Sequence, residues 1–466
     1  MNDALSSAGK LSARRLGLMQ LVGQCCCIGP LIDVALFLGI VASLAGAIGP
    51  LAVLLASLGM IAFSLVVAYY ASETGGAGAI GDYITRAWGR SAGFAALGIY
   101  LVSLLFSGAA GFTIAVGDLA SRFAQLYFGF DFPWWAGALL VCGAAWWFNV
   151  RGASIATQVQ LIIVGISVIP FVLTGAAAII HAGPANTWSV FSWHNPHGGD
   201  LFGALLFCIL LFGGFETAGA LAEESDNPRR AIPRAFVGTV AAAALLLVFC
   251  SYAGTVFYGP DRVASSWGDA IDGFAVMGDQ LLGPWAGLWI RLAVLIDFTA
   301  TCIGCTVAAL RGIYALARDG RLPTWLAATN RHGAPHHAAA LVLGVAILVI
   351  TAGLFVPAAD RFQTLFVTAT AQALLLVLVY TGLAVGALRL MWRGSNRQPM
   401  WRWIVFPLAT VVPALALYGT FIPFPGYPER FGLFAGLLAL AIVLLWVWRV
   451  TVSSRESGSE ISRSST

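Results

Sequence analysis

Apolar residues run along this chain in long blocks separated by short polar stretches, and the length of the blocks selects the element. A hydrocarbon layer of ~30 Å takes about 20 helical residues to cross. Blocks of that order predict twelve spans, over residues 16–46, 50–71, 92–126, 134–150, 155–181, 200–223, 232–258, 281–316, 336–356, 361–389, 401–421 and 429–450. The connections leave no room for a separate water-soluble domain, so the expected fold class is an all-α integral membrane protein with 12 transmembrane helices. Three segments stand apart from the spans. Residues 73–91 form a Gly-rich loop leading into a short amphipathic helix. Residues 259–280 read as a loop with Asp261, Asp269, Asp272 and Asp279 against Arg262. Residues 451–466 are Ser-rich, lack core-forming side chains and read as a disordered tail.

Composition agrees with the pattern: 59% of residues are hydrophobic and 10% charged, where a water-soluble domain carries about 25% charged residues. The few cations are unevenly placed. With the N-terminus in the cytoplasm, 20 of the 25 Lys and Arg fall on the cytoplasmic side, four (Arg122, Arg262, Arg361, Arg430) fall outside, and Arg291 lies within a span. That asymmetry predicts a multi-pass protein of the cytoplasmic (inner) membrane with both termini in the cytoplasm. The net charge of +4 then reflects topology and implies no nucleic-acid partner. All eight cysteines fall within spans, so helix packing is a better reading of Cys302-x-x-Cys305 than a redox or metal site. His194 and His197 read as a solvated loop, and no metal or cofactor is expected.

Two spans are interrupted. The first carries Gly29-Pro30 and then Asp33; the sixth carries Phe212-Gly213-Gly214-Phe215-Glu216. Adjacent glycines, or a proline, at membrane depth are tolerated where the freed backbone groups line a cavity. Interrupted spans in corresponding positions point to the binding site of an inverted-repeat transporter. The halves would be residues 16–181 and 200–390, preceded by a tail at 1–15 and followed by two added helices within 401–450. A charged side chain at such depth costs about 2.5–3.5 kcal/mol even on the lenient insertion scale, so each buried acid faces protein, water or a ligand. The acids are Asp33, Glu216 and, near the midplane of span eight, Asp297. Removal from water disfavours the charged form of a carboxylate, which suits all three to gating or proton coupling. A structural acid neutralised by Arg291 is the competing reading for Asp297, although Arg291 is six residues away and points elsewhere. Thr299, Thr301 and Thr306 offer hydroxyls for a small cation, though such hydroxyls commonly bond back to their own helix.

Three motifs carry a family resemblance. Phe212-Gly-Gly-Phe-Glu216 followed by Ala222-Glu-Glu-Ser-Asp-Asn-Pro-Arg-Arg-Ala-Ile-Pro-Arg234 resembles the sixth-span signature of the amino acid–polyamine–organocation superfamily of permeases. Arg311-Gly-Ile-Tyr-Ala-Leu-Ala-Arg-Asp-Gly-Arg-Leu-Pro323, then His332-Gly-Ala-Pro335, resembles its eighth-span ending, and residues 73–90 its first inner loop. The resemblance covers roughly residues 15–450 and implies a LeuT-type 5+5 inverted repeat with two added C-terminal helices, working by alternating access. It implies a substrate held between the two breaks, by Gly29, Pro30, Leu31, Ile32 and Asp33 on one side and Phe212, Gly213, Gly214 and Phe215 on the other.

Two departures bear on function. By alignment, an acid, Asp33, stands where such permeases usually have the second glycine of the first-span break; it would attract an amine. Some proton-coupled members carry a span-five lysine at a position that falls here on Ser167, so that lysine cannot serve coupling. The function expected is secondary active transport of an amino acid or organic amine, with H+ as the coupling ion and Na+ as the alternative. An exchanger of two related solutes and a non-transporting nutrient sensor are the rivals, the sensor requiring a long cytoplasmic extension where the tails here are short. An intramembrane enzyme with paired aspartates is excluded on position, since Gly268-Asp269 and Gly278-Asp279 lie in the loop at 259–280.

Overall fold

The computed structural model describes residues 11, 15–26, 33–267, 272–358, 361–393, 399–422 and 424–464. Its described elements are helical, with two isolated bridges and no sheet. We label the main helices α1 (Leu18–Cys26), α2 (Asp33–Ala45), α3 (Gly49–Glu73), α4 (Ile80–Trp88), α5 (Arg90–Phe128, with a π-helical turn at Leu105–Gly111), α6 (Trp134–Val150), α7 (Ala153–Ala182), α8 (Leu201–Leu210), α9 (Pro228–Tyr258), α10 (Gly273–Leu281), α11 (Pro284–Arg318), α12 (His336–Gly353), α13 (Gln363–Arg393), α14 (Arg402–Phe421) and α15 (Glu429–Ser464). Among the described residues ten helical stretches are long and apolar enough to cross a membrane, while α6 is a shorter apolar helix. Long apolar runs force this outcome, because in lipid a backbone satisfies its polar groups only within a helix or a closed barrel.

The helices pack around one continuous core. α3 lies against α9, α8 and α14; α7 against α11, α1 and α9; α13 against α5 and α15. The short helix α4 is amphipathic, burying Ile80, Tyr83 and Ile84, and carries Asp82 in its first turn and Arg86 in its last, as the helix dipole favours.

Three segments differ from the sequence expectation. Residues 259–267 and 272–280 are more than a loop. Trp267 is 1% exposed, with its ring against Gly39 of α2, Gly254 of α9 and Gly273. A Cβ at Gly254 or Gly273 would collide with that ring, so the glycines make room for it. Phe274 is buried against that ring, and Met277 is buried further along α10. The π-helical turn in α5 was not foreseen either. There Thr113 donates to the Gly108 carbonyl at 2.8 Å, and glycines at 108 and 111 allow Cys305 and Thr368 to approach closely. Such turns are frequent at functional sites. At the C-terminal end, α15 is helical through Ser464 where composition alone reads a disordered tail.

Candidate functional site

The sixth span breaks where the glycines fall. α8 closes at Leu210 with tight turns, in which Phe212 N–H donates to the Ile209 carbonyl and Gly213 N–H to the Leu210 carbonyl. Gly214 then takes φ +95°, a left-handed conformation open to glycine at little cost. Beyond it the chain runs as a ten-residue 3-10 helix, Phe215–Glu224, although such helices seldom exceed three or four residues. The first span is described as two helices, α1 and α2. Gly29, Pro30, Leu31 and Ile32 lie outside the described residues, and of Asp33 only its backbone position at the start of α2 is described.

Glu216 sits in the first turn of the 3-10 helix and is 1% exposed. Two tyrosines hold it. Tyr100 of α5 donates to Oε1 at 3.1 Å, and Tyr380 of α13 donates to Oε2 at 2.7 Å. No basic side chain pairs with it among the described residues. Phe215 is fully buried, edge-on to Phe63 and Phe236, while Phe63 also packs against Tyr380 with ring centroids 4.6 Å apart and the planes tilted by 44°; Phe212 is buried as well. Thr217 donates to the Gly214 carbonyl at 2.7 Å, and Gln24 of α1 donates to Thr217 and to the Gly304 carbonyl of α11. The break is thus tied to the first span on one side and the eighth on the other. Tyr100, Tyr380 and Phe63 escaped sequence reasoning. The available signal was the hydroxyl itself, since a tyrosine within an apolar span must find a partner for its OH.

Asp297 is 2% exposed and belongs to a different network. Ser167 of α7 donates to its Oδ1 at 2.6 Å, and Oδ2 has no partner among the described residues. Ser167 is the span-five position at which the resemblance places a lysine in other members. Arg291 does not neutralise Asp297; it binds Asp272 at 2.8 Å, Asp279 at 2.9 Å and the Tyr127 hydroxyl at 3.1 Å. Thr299, Thr301 and Thr306 each donate to a carbonyl four residues back.

One end of the bundle is clasped by the residues of the sixth-span signature. Arg311 and Glu224 form an ion pair at 2.9 Å, with side chains 0% and 1% exposed. Arg318 binds Glu223 at 3.0 Å, and Glu223 also accepts from the Ala77 N–H of the Gly-rich loop. Leu16 N–H donates to the Glu224 carbonyl, and Asp226 N–H to the Leu16 carbonyl, so the chain ahead of α1 is zipped to the chain after the 3-10 helix. Towards the other end lies a cavity of about 440 Å³ bounded by Ala35 of α2, Leu119 and Arg122 of α5, Asp272, and Arg291 and Phe298 of α11.

The sixth span is broken at its glycines with an acid buried beside them, and comparison with known proteins bears directly on the family resemblance. The profile of the family described as amino acid permease matches residues 23–448. The chain belongs to the amino acid permease family. This permease is therefore a multi-pass membrane protein of a transporter family. It is 27% identical over 436 residues to the gamma-aminobutyric acid permease of Escherichia coli (strain K12), covering 88% of each chain. It is 27% identical over 343 residues to the aromatic amino acid transport protein AroP of the same strain, covering 70% of this chain and 72% of AroP. Similarity to the branched-chain amino acid permease BcaP of Lactococcus lactis subsp. cremoris (strain MG1363) is 26% over 310 residues, 64% of this chain and just under two thirds, 62%, of BcaP.

Proposed function

We propose that this permease is a secondary active transporter of an amino acid or organic amine, working by alternating access and coupled to protons. The observation that carries the reading is the sixth-span break, with Glu216 buried at its start and held by two tyrosines without a counter-charge. Such a carboxylate can exchange a proton or meet a substrate ammonium as its surroundings change. Twelve spans follow if α6 and the pair α1 and α2 are added to the ten long helices. The 5+5 repeat would then pair the first and sixth spans. The distribution of Lys and Arg puts the clasped end, and both termini, in the cytoplasm.

In this reading Asp33, at the start of α2, takes the substrate ammonium, and backbone at residues 29–32 and at Gly213-Gly214 supplies the remaining polar contacts. Phe212 and Phe215 close the site, and Glu216 is a protonatable gate. Asp297 is the further acid available for coupling, since Arg291 is engaged elsewhere. Na+ in place of H+ would have to use the lone pairs of Thr299 and Thr301, whose protons are committed to their own helix. The substrates named for the gamma-aminobutyric acid, aromatic and branched-chain amino acid relatives carry both an amine and a carboxylate, which supports a zwitterionic amino acid.

Reconstitution in liposomes tests the reading. Phenylalanine, leucine and 4-aminobutyrate, offered in turn, should include one that accumulates under an inward proton gradient without any amino acid preloaded. Uptake that requires preloading would instead establish an exchanger. Asp33→Asn should reduce that uptake at least tenfold, and unchanged uptake with an unchanged pH profile would remove Asp33 from the site.

A further inference from the structure

Along α7, three fully buried polar residues recur every seven positions: Gln160, Ser167 and Thr174, exposed 0%, 1% and 0%. A seven-residue step turns an α-helix by only about 20° from two full turns, so the three share one face. From Gln160 to Thr174 that face runs about 21 Å at 1.5 Å per residue. Among the described residues, both amide atoms of Gln160, the hydroxyl of Thr174 and Oδ2 of Asp297 are buried without a hydrogen-bond partner, and Ser167 donates to the other Asp297 oxygen. Thr174 departs from the usual habit of a helical hydroxyl, seen nearby in Thr157, of bonding back to its own carbonyls. Pro170, inside α7, also removes one backbone donor from the turn that carries Ser167.

The stripe meets further polar groups at one end. Towards the clasped end, Ser154, which accepts from Gln20 of α1 at 3.1 Å, stands six residues before Gln160 and so about 120° off its face. Towards the other, the Thr174 hydroxyl lies 3.3 Å from the position a Cβ would take on Gly278, and the next residue, Asp279, is paired with Arg291 together with Asp272. Buried polar atoms left unpartnered in native proteins mark places where water, an ion or chemistry satisfies them. Here they are spread along a line, about 10 Å apart by helix rise, instead of gathered round a point. A line of mixed donors and acceptors makes no coordination shell for a metal cation but suits a proton relayed over water and side chains.

We propose that Gln160, Ser167, Asp297 and Thr174 form a proton route between α7 and α11, with the Asp297 carboxylate as its resting place, separate from the substrate path past Glu216. That the route serves transport rests on the proton-coupled reading above; its existence does not. The test uses the full-length protein in liposomes. The external pH is jumped and the infrared band of protonated carboxyl groups is followed, the part missing in Asp297→Asn being assigned to Asp297. Thr174→Val and Gln160→Leu should slow that component at least tenfold. Thr174→Ser should restore the wild-type rate, and Thr239→Val, which removes a buried hydroxyl on α9 that faces Cys25 and Cys26 of α1, should leave it unchanged. A response absent from wild type, or one within twofold of wild type in both Thr174→Val and Gln160→Leu, would overturn the route. Amino-acid-driven acidification of the same liposomes reports on coupling separately: a normal carboxyl response with no acidification would sink the coupling reading and leave the route standing.

Discussion

The ion pair between Arg311 and Glu224 offers the sharpest quantitative test of how the clasped end is held. Both side chains are out of water, at 0% and 1% exposure, and meet at 2.9 Å. Removing one member of such a pair strands the other as a buried charge, which costs about 3–5 kcal/mol. Replacing both with apolar side chains of similar length removes the two desolvation penalties together, and is often neutral or better. Arg311→Met and Glu224→Met are therefore each expected to lower stability by about 3–5 kcal/mol, and the double variant to lie within about 1–2 kcal/mol of wild type. The assay is unfolding of the purified protein in mild micelles by added dodecyl sulfate, followed by the fluorescence of its 16 tryptophans. The cycle isolates the pair because the Glu224 backbone carbonyl, which accepts from Leu16, is untouched by either change. A double variant as damaged as the sum of the singles would show that the two residues act independently, and the clasp would lose its central element.

Tyr380→Phe removes the 2.7 Å hydrogen bond to Glu216; a bond to a charged group is worth about 1.5–3 kcal/mol, so transport by the variant should fall at least tenfold, with a smaller loss for Tyr100→Phe. Gly214→Ala forces a Cβ into φ +95° and should cost about 1–2 kcal/mol, read as a lower midpoint in the same micelle titration. Asp82, in α4 outside the spans, holds its proton more tightly than an ordinary aspartate of pKa 3.8, first because it is buried and then because Asp319 and Glu223 repel its charge, with Arg318 opposing. Its folded form binds more protons than the unfolded chain above that pH, so its contribution to stability falls as pH rises through the interval. Asp82→Asn should thus gain stability relative to wild type as pH rises above 3.8, and a difference that stays flat with pH would refute the assignment.

The spans were legible because nothing but a helix can carry so long an apolar run through lipid, and ten of them are present at full length. The break at Gly213-Gly214 was legible for a local reason: no side chain other than glycine's readily takes the φ that Gly214 adopts. What surrounds the break was not. Tyr100 and Tyr380 reach Glu216 from positions 116 and 164 residues away in sequence, and no pattern within one helix encodes a meeting of three. Trp267 was hidden in the same way. In sequence it belongs to an acidic loop, and only the glycines on α2 and α9 reveal that the loop is plugged into the bundle. The contact between Ser167 and Asp297 was half legible, since span-five alignment singled out the serine and depth singled out the acid, but not their 2.6 Å bond.

The ten residues Phe215–Glu224 connect the acid of the break to the ion pair of the clasp. Wound as a 3-10 helix they measure about 20 Å at ~2.0 Å per residue; wound as an α-helix the same residues would measure about 15 Å. The segment is therefore a drawn-out length of chain anchored at both ends, by two tyrosines at Glu216 and by Arg311 at Glu224. Rewound as an α-helix it would be shorter by about 5 Å, close to one α-helical turn. That stroke would carry whatever holds the far end with it, converting an event at a single carboxylate into a displacement at the opposite end of the span.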